Sequence, residues 1–324
     1  MPMLRIGQGT RRILRWVAAA AVVGVCAFYL VRHVDPAQVG RALAGADYRL
    51  VGLMTVGHLA LLLPLKSLRW QTMLAPMQRL PLTTLYGYCL AGCAVTNLFP
   101  ARAGHAARVV LVRRDGVPVA GAVGVQVLEE ICNAVVLGLL CTPLPFLLPL
   151  PRSVRLTLAL VTLGAAIGVA LSVWLALAGR GRPSGLLRRI SEGVAWLGRG
   201  RGRAALAVFA LTAAMWLLDL GQIALAMAAV GMPPSYAGVA LVLLLVNLTN
   251  AVPVTPGQMG LFEAGAAAAC VAVGATPEQG LAVGVLYHMM QFIPETTLGL
   301  CVLGRGVLGR APLAEERVEI APDR

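Results

Sequence analysis

Two apolar stretches of the chain are interrupted at the same place by the same residues. The segments 96–104 (TNLFPARAG) and 249–257 (TNAVPVTPG) match at Thr, Asn, Pro and Gly without a gap. Further matches follow in the same order, with Ala-Val-Gly-Val at 122–125 and 282–285 and Leu-Gly-Leu at 137–139 and 298–300. A duplicated apolar segment that Pro and Gly interrupt in both copies is the pattern of an internal repeat with a binding site between its halves.

The composition places the chain in a membrane. Of 324 residues, 58% are hydrophobic and only 13% are charged, and the mean hydropathy is +0.79. A soluble domain carries about 25% charged residues. The seven cysteines lie within apolar runs without a Cys-x-x-Cys pair, so we expect no disulfide framework, no metal site and no cofactor. The low Lys and high Arg and Ala usage is typical of a bacterial gene, and we expect a multi-pass protein of the bacterial inner (plasma) membrane.

The apolar runs predict an all-α polytopic fold with about six full transmembrane helices and two re-entrant helical hairpins. A span needs ~20 apolar residues. The full spans are predicted at 13–32, 50–68, 119–148, 153–178, 204–230 and 280–304. The stretches 82–115 and 236–274 each carry the Pro/Gly interruption in the middle. We expect two half-helices in each, because a break at membrane depth is tolerated where protein or a wet cavity satisfies the backbone.

The charge distribution predicts the orientation. The formal charge is +13, and most of the 27 Lys and Arg residues fall on one side if both hairpins return to the side they entered. On that side lie the N- and C-termini, which the positive-inside rule makes cytoplasmic. Outside lie Arg32, Arg41, Arg49, Arg152 and Arg155.

The two hairpins then enter from opposite faces, which predicts an inverted repeat within a single flippase-like domain, 1–310. Repeat 1 covers about 82–148 and repeat 2 about 236–304, and 311–324 is a polar cytoplasmic tail. The basic segment Arg180–Arg203 is predicted to lie on anionic lipid at the cytoplasmic face, and a bare connecting loop is the alternative. No nucleic-acid partner is expected, and the oligomeric state is left open.

Several ionisable residues lie where lipid would surround an ordinary span. A charge at the centre of a span costs about 2.5–3.5 kcal/mol, so such residues usually face a cavity or a partner. They are Glu129, Glu130, Asp219, Glu263, His288 and Glu295, with Arg102 in the first break and Arg108 just beyond it. The two arginines are suited to an anionic head group. The alternative is that they only neutralise the glutamates, and the sequence leaves both interpretations open.

These residues give the predicted site. Glu129 is expected to face inward rather than Glu130, since neighbours on a helix project ~100° apart. His288 is either a proton relay or a paired core histidine, Asp219 is more typical of a structural hydrogen bond, and Asn97 and Asn250 are expected to satisfy backbone freed by the breaks. The substrate-binding set is Arg102, Arg108, Glu129, Glu263 and His288, and the hairpin breaks are Asn97, Pro100, Gly104, Asn250, Pro253 and Gly257. No catalytic residue is assigned.

Four segments resemble one family when they are taken in order. They are Leu65–Trp70 (LKSLRW), 97–108 (NLFPARAGHAAR), Pro256–Ala264 (PGQMGLFEA), and Leu286-Tyr287-His288 with Pro294 and Gly299. Together they resemble the flippase-like integral membrane family of the lysylphosphatidylglycerol synthase transmembrane region. The chain departs from our impression of the family pattern at His105, at Glu129-Glu130 with Asn133, and at His288.

The resemblance implies a lipid flippase or a lipid-handling membrane protein. The leading hypothesis is therefore a translocator of an anionic or polar-headed membrane lipid, without an ATP-binding phosphate loop. One alternative is a non-transporting partner of a lipid pathway, for example hopanoid or aminoacyl-phospholipid biosynthesis. An enzyme acting on lipid through His105 and the glutamates is the other alternative, but no nucleophile or metal-spacing motif supports it, and we expect no enzyme.

Overall fold

Helices form all the regular secondary structure in the part of the chain that the structure describes. The computed structural model describes residues 35–99, 103–148, 202–250 and 255–308, together with 152 and 156. The described residues do not include the predicted span 13–32, the predicted span 153–178 apart from residue 156, or the tail 311–324. Of the basic segment 180–203, residues 180–201 also lie outside them. So do Pro100, Arg102 and Pro253.

The first two helices begin at aspartate caps. Helix α1 (Pro36–Ala44) starts after Asp35, whose Oδ1 accepts the Ala37 N–H at 2.9 Å. Helix α2 (Tyr48–Leu74) starts after Asp47, which accepts the Arg49 N–H at 2.9 Å. A short polar side chain at this position satisfies a backbone donor that the helix itself leaves free.

Helix α2 widens into a π-helical turn over His58–Leu62. Pro64 follows this turn and has no N–H to donate to the carbonyl four residues earlier. The Leu63 N–H donates to the His58 carbonyl, five residues back, and the Leu59 carbonyl accepts the Tyr86 hydroxyl at 3.1 Å. The proline therefore accounts for the turn, and a neighbouring helix satisfies one of the freed carbonyls.

Each interrupted stretch consists of two helices that pack against one another. The first pair is α3 (Leu82–Leu98) and α4 (Ala103–Arg114), followed by α5 (Val119–Cys141) and the short α6 (Leu144–Leu147). The long α7 (Gly202–Ala229) precedes the second pair, α8 (Tyr236–Asn250) and α9 (Leu261–Ala272). A 3₁₀ turn (Pro256–Gln258) lies between α8 and α9, and α10 (Pro277–Leu308) ends the described chain.

Both pairs use a glycine for close helix contact. A Cβ on Gly104 of α4 would clash with the Gly92 carbonyl and the Thr96 hydroxyl of α3. A Cβ on Gly265 of α9 would lie 3.1 Å from the Thr249 methyl group and 3.2 Å from the Leu245 carbonyl of α8. In each pair the glycine faces a threonine and the residue four positions before it, so the same packing device occurs twice.

Helices α4 and α9 also end in the same way. Each has 12 residues and stops at a glycine with positive φ, Gly116 (+90°) or Gly274 (+95°). Gly116 N donates to Arg113 O and Val117 N to Val112 O, at 3.0 and 3.2 Å. Gly274 N and Ala275 N donate in the same pattern, to Val271 O and Cys270 O, both at 3.0 Å. These are the two hydrogen bonds of a Schellman cap.

Three helices are long and apolar enough to cross a membrane, by length and composition: Tyr48–Leu74, Val119–Leu147 and Arg203–Ala229. They confirm three of the predicted spans. The predicted bound of 50–68 is too short, since α2 continues to Leu74 and buries Arg69 rather than placing it in a loop. The predicted span 280–304 lies within the single 32-residue helix α10, which is not among these three.

Helix α10 holds the two helix pairs together. It packs along α3 and α9, and a Cβ on Gly299 would clash with the Leu90 carbonyl of α3. Buried apolar side chains of α2–α5 form one cluster, which includes Trp70, Leu85 and Val112. A larger cluster includes side chains of α7–α10. With α10 holding both pairs, α3 of the first pair contacts the 3₁₀ turn of the second pair.

Candidate functional site

A polar cavity of about 230 Å³ lies among the helices. Its lining comes from α2, α3, α4, α5, α7 and α10, and it includes side chains of both charges. The charged lining residues are Lys66, Arg69, Arg108, Glu129, Glu130, Asp219 and Glu295, with His58 and His105 beside them. Charged groups in the interior of an otherwise apolar helical membrane protein usually mark a substrate or ion path.

Glu129 is the centre of the most buried charge cluster in the cavity wall. Its Oε1 accepts Arg69 Nη2 at 2.6 Å, and its Oε2 accepts Arg108 Nη2 at 3.0 Å. Glu129 is only 3% exposed, Arg69 1% and Arg108 5%. The prediction that Glu129 faces inward is confirmed. Two arginines on one carboxylate leave the cluster with one net positive charge.

The remaining donors of the two arginines hold them in place. Arg69 Nη1 donates to Asn133 Oδ1 at 2.7 Å and to Thr212 Oγ1 at 3.1 Å, which joins α2 to α5 and α7. The Arg108 guanidinium lies 4.2 Å from the centre of the Trp70 ring, a cation–π distance. Both arginines keep a buried Nε–H that has no partner among the described residues.

Lys66 and Arg69 correct the sequence analysis. The charge distribution assigned them, with Arg108, to cytoplasmic basic segments, but all three line the cavity. Their sequence signal was present in the LKSLRW segment, where Lys66 and Arg69 lie three residues apart and thus on one helix face. The predicted span was ended at residue 68, before Arg69, and the helix in fact continues to Leu74.

A second pair joins the π-turn to α10. His58 Nε2 lies 2.9 Å from Glu295 Oε1, and the two residues are 2% and 9% exposed. Nearby, the Tyr287 hydroxyl donates to Asp219 Oδ1 at 2.9 Å. Asp219 therefore makes the structural hydrogen bond that the sequence analysis favoured. The sequence analysis did not find His58, because a lone histidine in an apolar run carries no local signal.

Glu263 and His288 form a separate pair. His288 Nδ1 lies 2.6 Å from Glu263 Oε1, and the Gly260 N–H donates to Glu263 Oε2 at 2.7 Å. The His288 ring stacks on Phe262 at 4.2 Å between ring centres. His288 is thus a paired core histidine, and the pair ties the start of α9 to α10. Neither residue belongs to the lining of the described cavity, so the structure does not place them beside Arg108 and Glu129.

The predicted break residues that the structure describes lie at or near helix ends, and one of them contacts a neighbouring helix. Asn97, at the end of α3, donates to Thr296 Oγ1 at 2.9 Å and lies 3.5 Å from the Phe292 carbonyl. The described contacts of the Asn97 side chain are with α10, while residues 100–102 of the break lie outside the described residues. Asn250 ends α8, and Gly104 is the second residue of α4.

Glu130 points away from the Glu129 cluster, as their helical separation requires. His105 Nε2 lies 3.8 Å from Glu130 Oε1, and the Gln126 side chain donates to the His105 carbonyl at 2.7 Å. Within the described ranges there is no group of three His, Cys, Asp or Glu side chains with the spacing of a metal site.

Long apolar helices around a cavity lined by charged side chains define a polytopic membrane protein. The chain belongs to the family of the lysylphosphatidylglycerol synthase transmembrane region, whose model matches residues 16–299. This confirms the family that the four segments indicated. No curated protein matches the sequence significantly.

Proposed function

We propose that the protein moves an anionic or polar-headed lipid across the bacterial inner membrane, with the head group in the cavity and the tails in lipid. The observation that supports this most directly is the cluster of Arg69, Glu129 and Arg108 in the wall of an enclosed cavity. Membership of a family named for a lipid-modifying membrane protein agrees with a lipid substrate.

Helix length supports re-entrant hairpins. Helices α4 and α9 have 12 residues each, so at ~1.5 Å per residue each is about 18 Å long. The hydrocarbon core is about 30 Å thick. We propose that both pairs enter and leave on one side, with opposite entry sides and cytoplasmic termini. The repeated glycine contacts support a common origin of the two units.

Arg108 is the residue that we propose receives the anionic group. Its guanidinium is fixed by Trp70, it lines the cavity, and Glu129 already occupies one of its donors. A phosphate could replace one carboxylate oxygen on Arg108 while Arg69 keeps Glu129 neutralised. This exchange avoids leaving a buried charge alone, which would cost several kcal/mol. Arg102, outside the described residues, is proposed as a second cation for the same group.

The test is transport of labelled phosphatidylglycerol in vesicles that contain equal parts of phosphatidylcholine and phosphatidylglycerol. Fluorescence quenching from outside reports the label in the outer leaflet over time. Arg108→Gln should abolish the protein-dependent movement, and Arg108→Lys should reduce it, because Lys keeps the charge without the planar fork. The matched control is Arg113→Gln, on the same helix at an exposed position. Unchanged movement in a folded Arg108→Gln protein would contradict the proposed role.

The second candidate is a non-transporting partner of lipid biosynthesis, favoured by the synthase after which the family is named. In that case the cavity would hold a lipid for a partner enzyme, and neither candidate assigns catalysis to this chain. The discriminating result is co-purification of a lipid-modifying enzyme together with protein-independent movement of the labelled lipid.

A further inference from the structure

The His58–Glu295 pair lies at the one described turn where α2 departs from α-helical geometry. The π-turn begins at His58 and exposes carbonyls that an α-helix would bond internally. Such turns occur often at functional sites. His58 and Glu295 also line the same cavity as Arg108 and Glu129. The pair is therefore in position to affect the cavity without being part of the arginine cluster.

The hydrogen bonding of the His58 ring leaves one nitrogen free to bind a proton. Nε2 lies 2.9 Å from a carboxylate oxygen, so it is the nitrogen that carries the hydrogen in the neutral ring. Nδ1 is buried and has no hydrogen-bond partner among the described residues. A neutral histidine with this arrangement presents a lone pair at Nδ1. A proton that binds there produces an imidazolium directly against the Glu295 carboxylate.

Several other titratable groups face this pair. Lys66 from α2, Cys93 and Tyr86 from α3, and Asp219 from α7 all interact with Glu295 or lie beside it. Tyr287 of α10 holds Asp219, while Arg108 and Glu129 lie further along the same cavity. Among the described residues, the ion-pair partner of Glu295 is His58 rather than an arginine. A proton on His58 therefore adds a positive charge to a ring that lies 2.9 Å from this carboxylate.

The pair is linked mechanically to the tip of the first helix pair. Thr296, the residue after Glu295, accepts the Asn97 side chain at 2.9 Å. A proton on Nδ1 would strengthen the His58–Glu295 contact beside this hydrogen bond, and loss of that proton would weaken it. The charge state of His58 can therefore affect where the end of α3 sits.

We propose that His58 Nδ1, held by Glu295, binds one proton that couples lipid movement to the proton gradient, an inference that rests on the proposed translocation. A proton from water on one side adds to Nδ1 and leaves Nδ1 for water on the other side after the cavity changes its opening. The N–H bond that forms at Nδ1 replaces an O–H bond of solvent on one side and gives way to one on the other, and one proton moves per cycle in addition to the charge of the lipid.

The first test uses the vesicles described above with a pH difference imposed and the membrane potential clamped by potassium and valinomycin. For the unchanged protein, net movement of labelled phosphatidylglycerol should depend several-fold on the direction of the gradient. His58→Gln keeps a donor toward Glu295 but cannot titrate, so the ratio of net movement under the two gradient directions should fall to about one, whatever the rate of exchange at equal pH. Glu278→Gln, at the start of the same helix as Glu295, is the control that should retain the gradient effect.

Two results separate this proposal from the proposed function. Gradient-independent movement in the unchanged protein, or a gradient effect that persists in His58→Gln, overturns the coupling and leaves translocation intact. Absence of any protein-dependent movement overturns the translocation.

The proton site itself is tested without lipid movement. In ¹⁵N-histidine spectra of the full chain, the Nδ1 signal that is missing in His58→Gln should change from that of an unprotonated to that of a protonated ring nitrogen as the pH is lowered through the range in which the protein stays folded. Its titration should change in Glu295→Gln and remain as it is in Glu278→Gln. A signal that stays constant through this range overturns the site.

Discussion

Asn97 and Gly257 meet where the two helix pairs approach each other: a Cβ on Gly257 would lie 2.9 Å from the Asn97 carbonyl oxygen. The two residues belong to the two copies of the duplicated segment and are 160 positions apart. Phe292 of α10 covers the same point, 2.5 Å from that added Cβ. The turn of the second pair is therefore packed against the end of the first without room for one more carbon atom.

Gly257→Ala should destabilise the protein through this contact. The substitution combines a left-handed φ of +57°, which costs about 1–2 kcal/mol for a residue with a Cβ, with crowding that costs about 1–3 kcal/mol. Thermal unfolding in detergent measures the loss. Gly116→Ala is the control, since its φ is +90° but an added Cβ meets nothing within 4 Å. An equal loss in both variants would mean that crowding at the tips is unimportant.

Gly92→Ala should displace Arg108. A Cβ at position 92 would lie 2.7 Å from Arg108 Cγ and 2.9 Å from its Cδ, so the arginine could not cross α3 to reach Glu129. We expect transport in the vesicle assay to fall toward that of Arg108→Gln. Gly87→Ala on the same helix places its Cβ in ordinary contact with Val302, at 3.5 Å, and should stabilise α3 by about 0.5–1 kcal/mol. Full transport in Gly92→Ala would contradict the role of this crossing.

Glu129→Gln should be strongly destabilising, because it leaves Arg69 and Arg108 buried together without a negative charge. Removal of one partner from a buried ion pair costs about 3–5 kcal/mol. The double variant Glu129→Gln/Arg69→Met removes one acid and one base, so the cluster returns to one net positive charge. It should recover part of the melting temperature. A double variant that is less stable than Glu129→Gln would show that Arg69 contributes packing rather than charge.

The Asp35 cap should make the stability of α1 depend on pH. The pKa of the Asp35 carboxyl lies below its ordinary value because the carboxylate accepts the backbone N–H of Ala37. A lowered folded-state pKa means that the stabilisation is complete above the ordinary value and is lost as the pH falls through the folded value. Hydrogen exchange of the α1 amides should therefore quicken under acidic conditions relative to Asp35→Asn, which keeps a capping side chain without titrating.

Single cysteines at Arg79 and Arg113 test the path of the first helix pair. If the pair enters and leaves on one side, an impermeant thiol reagent should label both positions from the same face of oriented vesicles. Gly231→Cys and Gly274→Cys, which bracket the second pair, should both react from the opposite face. Labelling of positions 79 and 113 from different faces would remove the inverted arrangement.

The interrupted stretches were readable from sequence because Pro and Gly end helices by local chemistry. The helix ends at Leu98 and Asn250 follow from that rule. The inward orientation of Glu129 follows from helical periodicity. The partners could not be read in the same way. Arg69 and Glu129 are 60 positions apart, His58 and Glu295 are 237 apart, and only the packing of the helices brings them together.

The charges of α2 show how the sequence misleads. Lys66 and Arg69 interrupt an apolar run, and hydropathy treats that as the end of a span. The cost of Arg69 in the interior is offset by Glu129, Asn133 and Thr212, none of which is near it in the chain. A local property therefore cannot distinguish a cytoplasmic loop from a buried, neutralised pair.

The two helices α4 and α9 end in the same Schellman cap but carry different side chains. Helix α4 carries Arg108 and reaches the cavity, whereas its counterpart α9 is rich in alanine and its one acid is engaged with His288. Under the proposed function, α4 contacts the head group and α9 serves as support. Substitutions on α4 can consequently change the preferred head group while the packing that α9 supports is preserved.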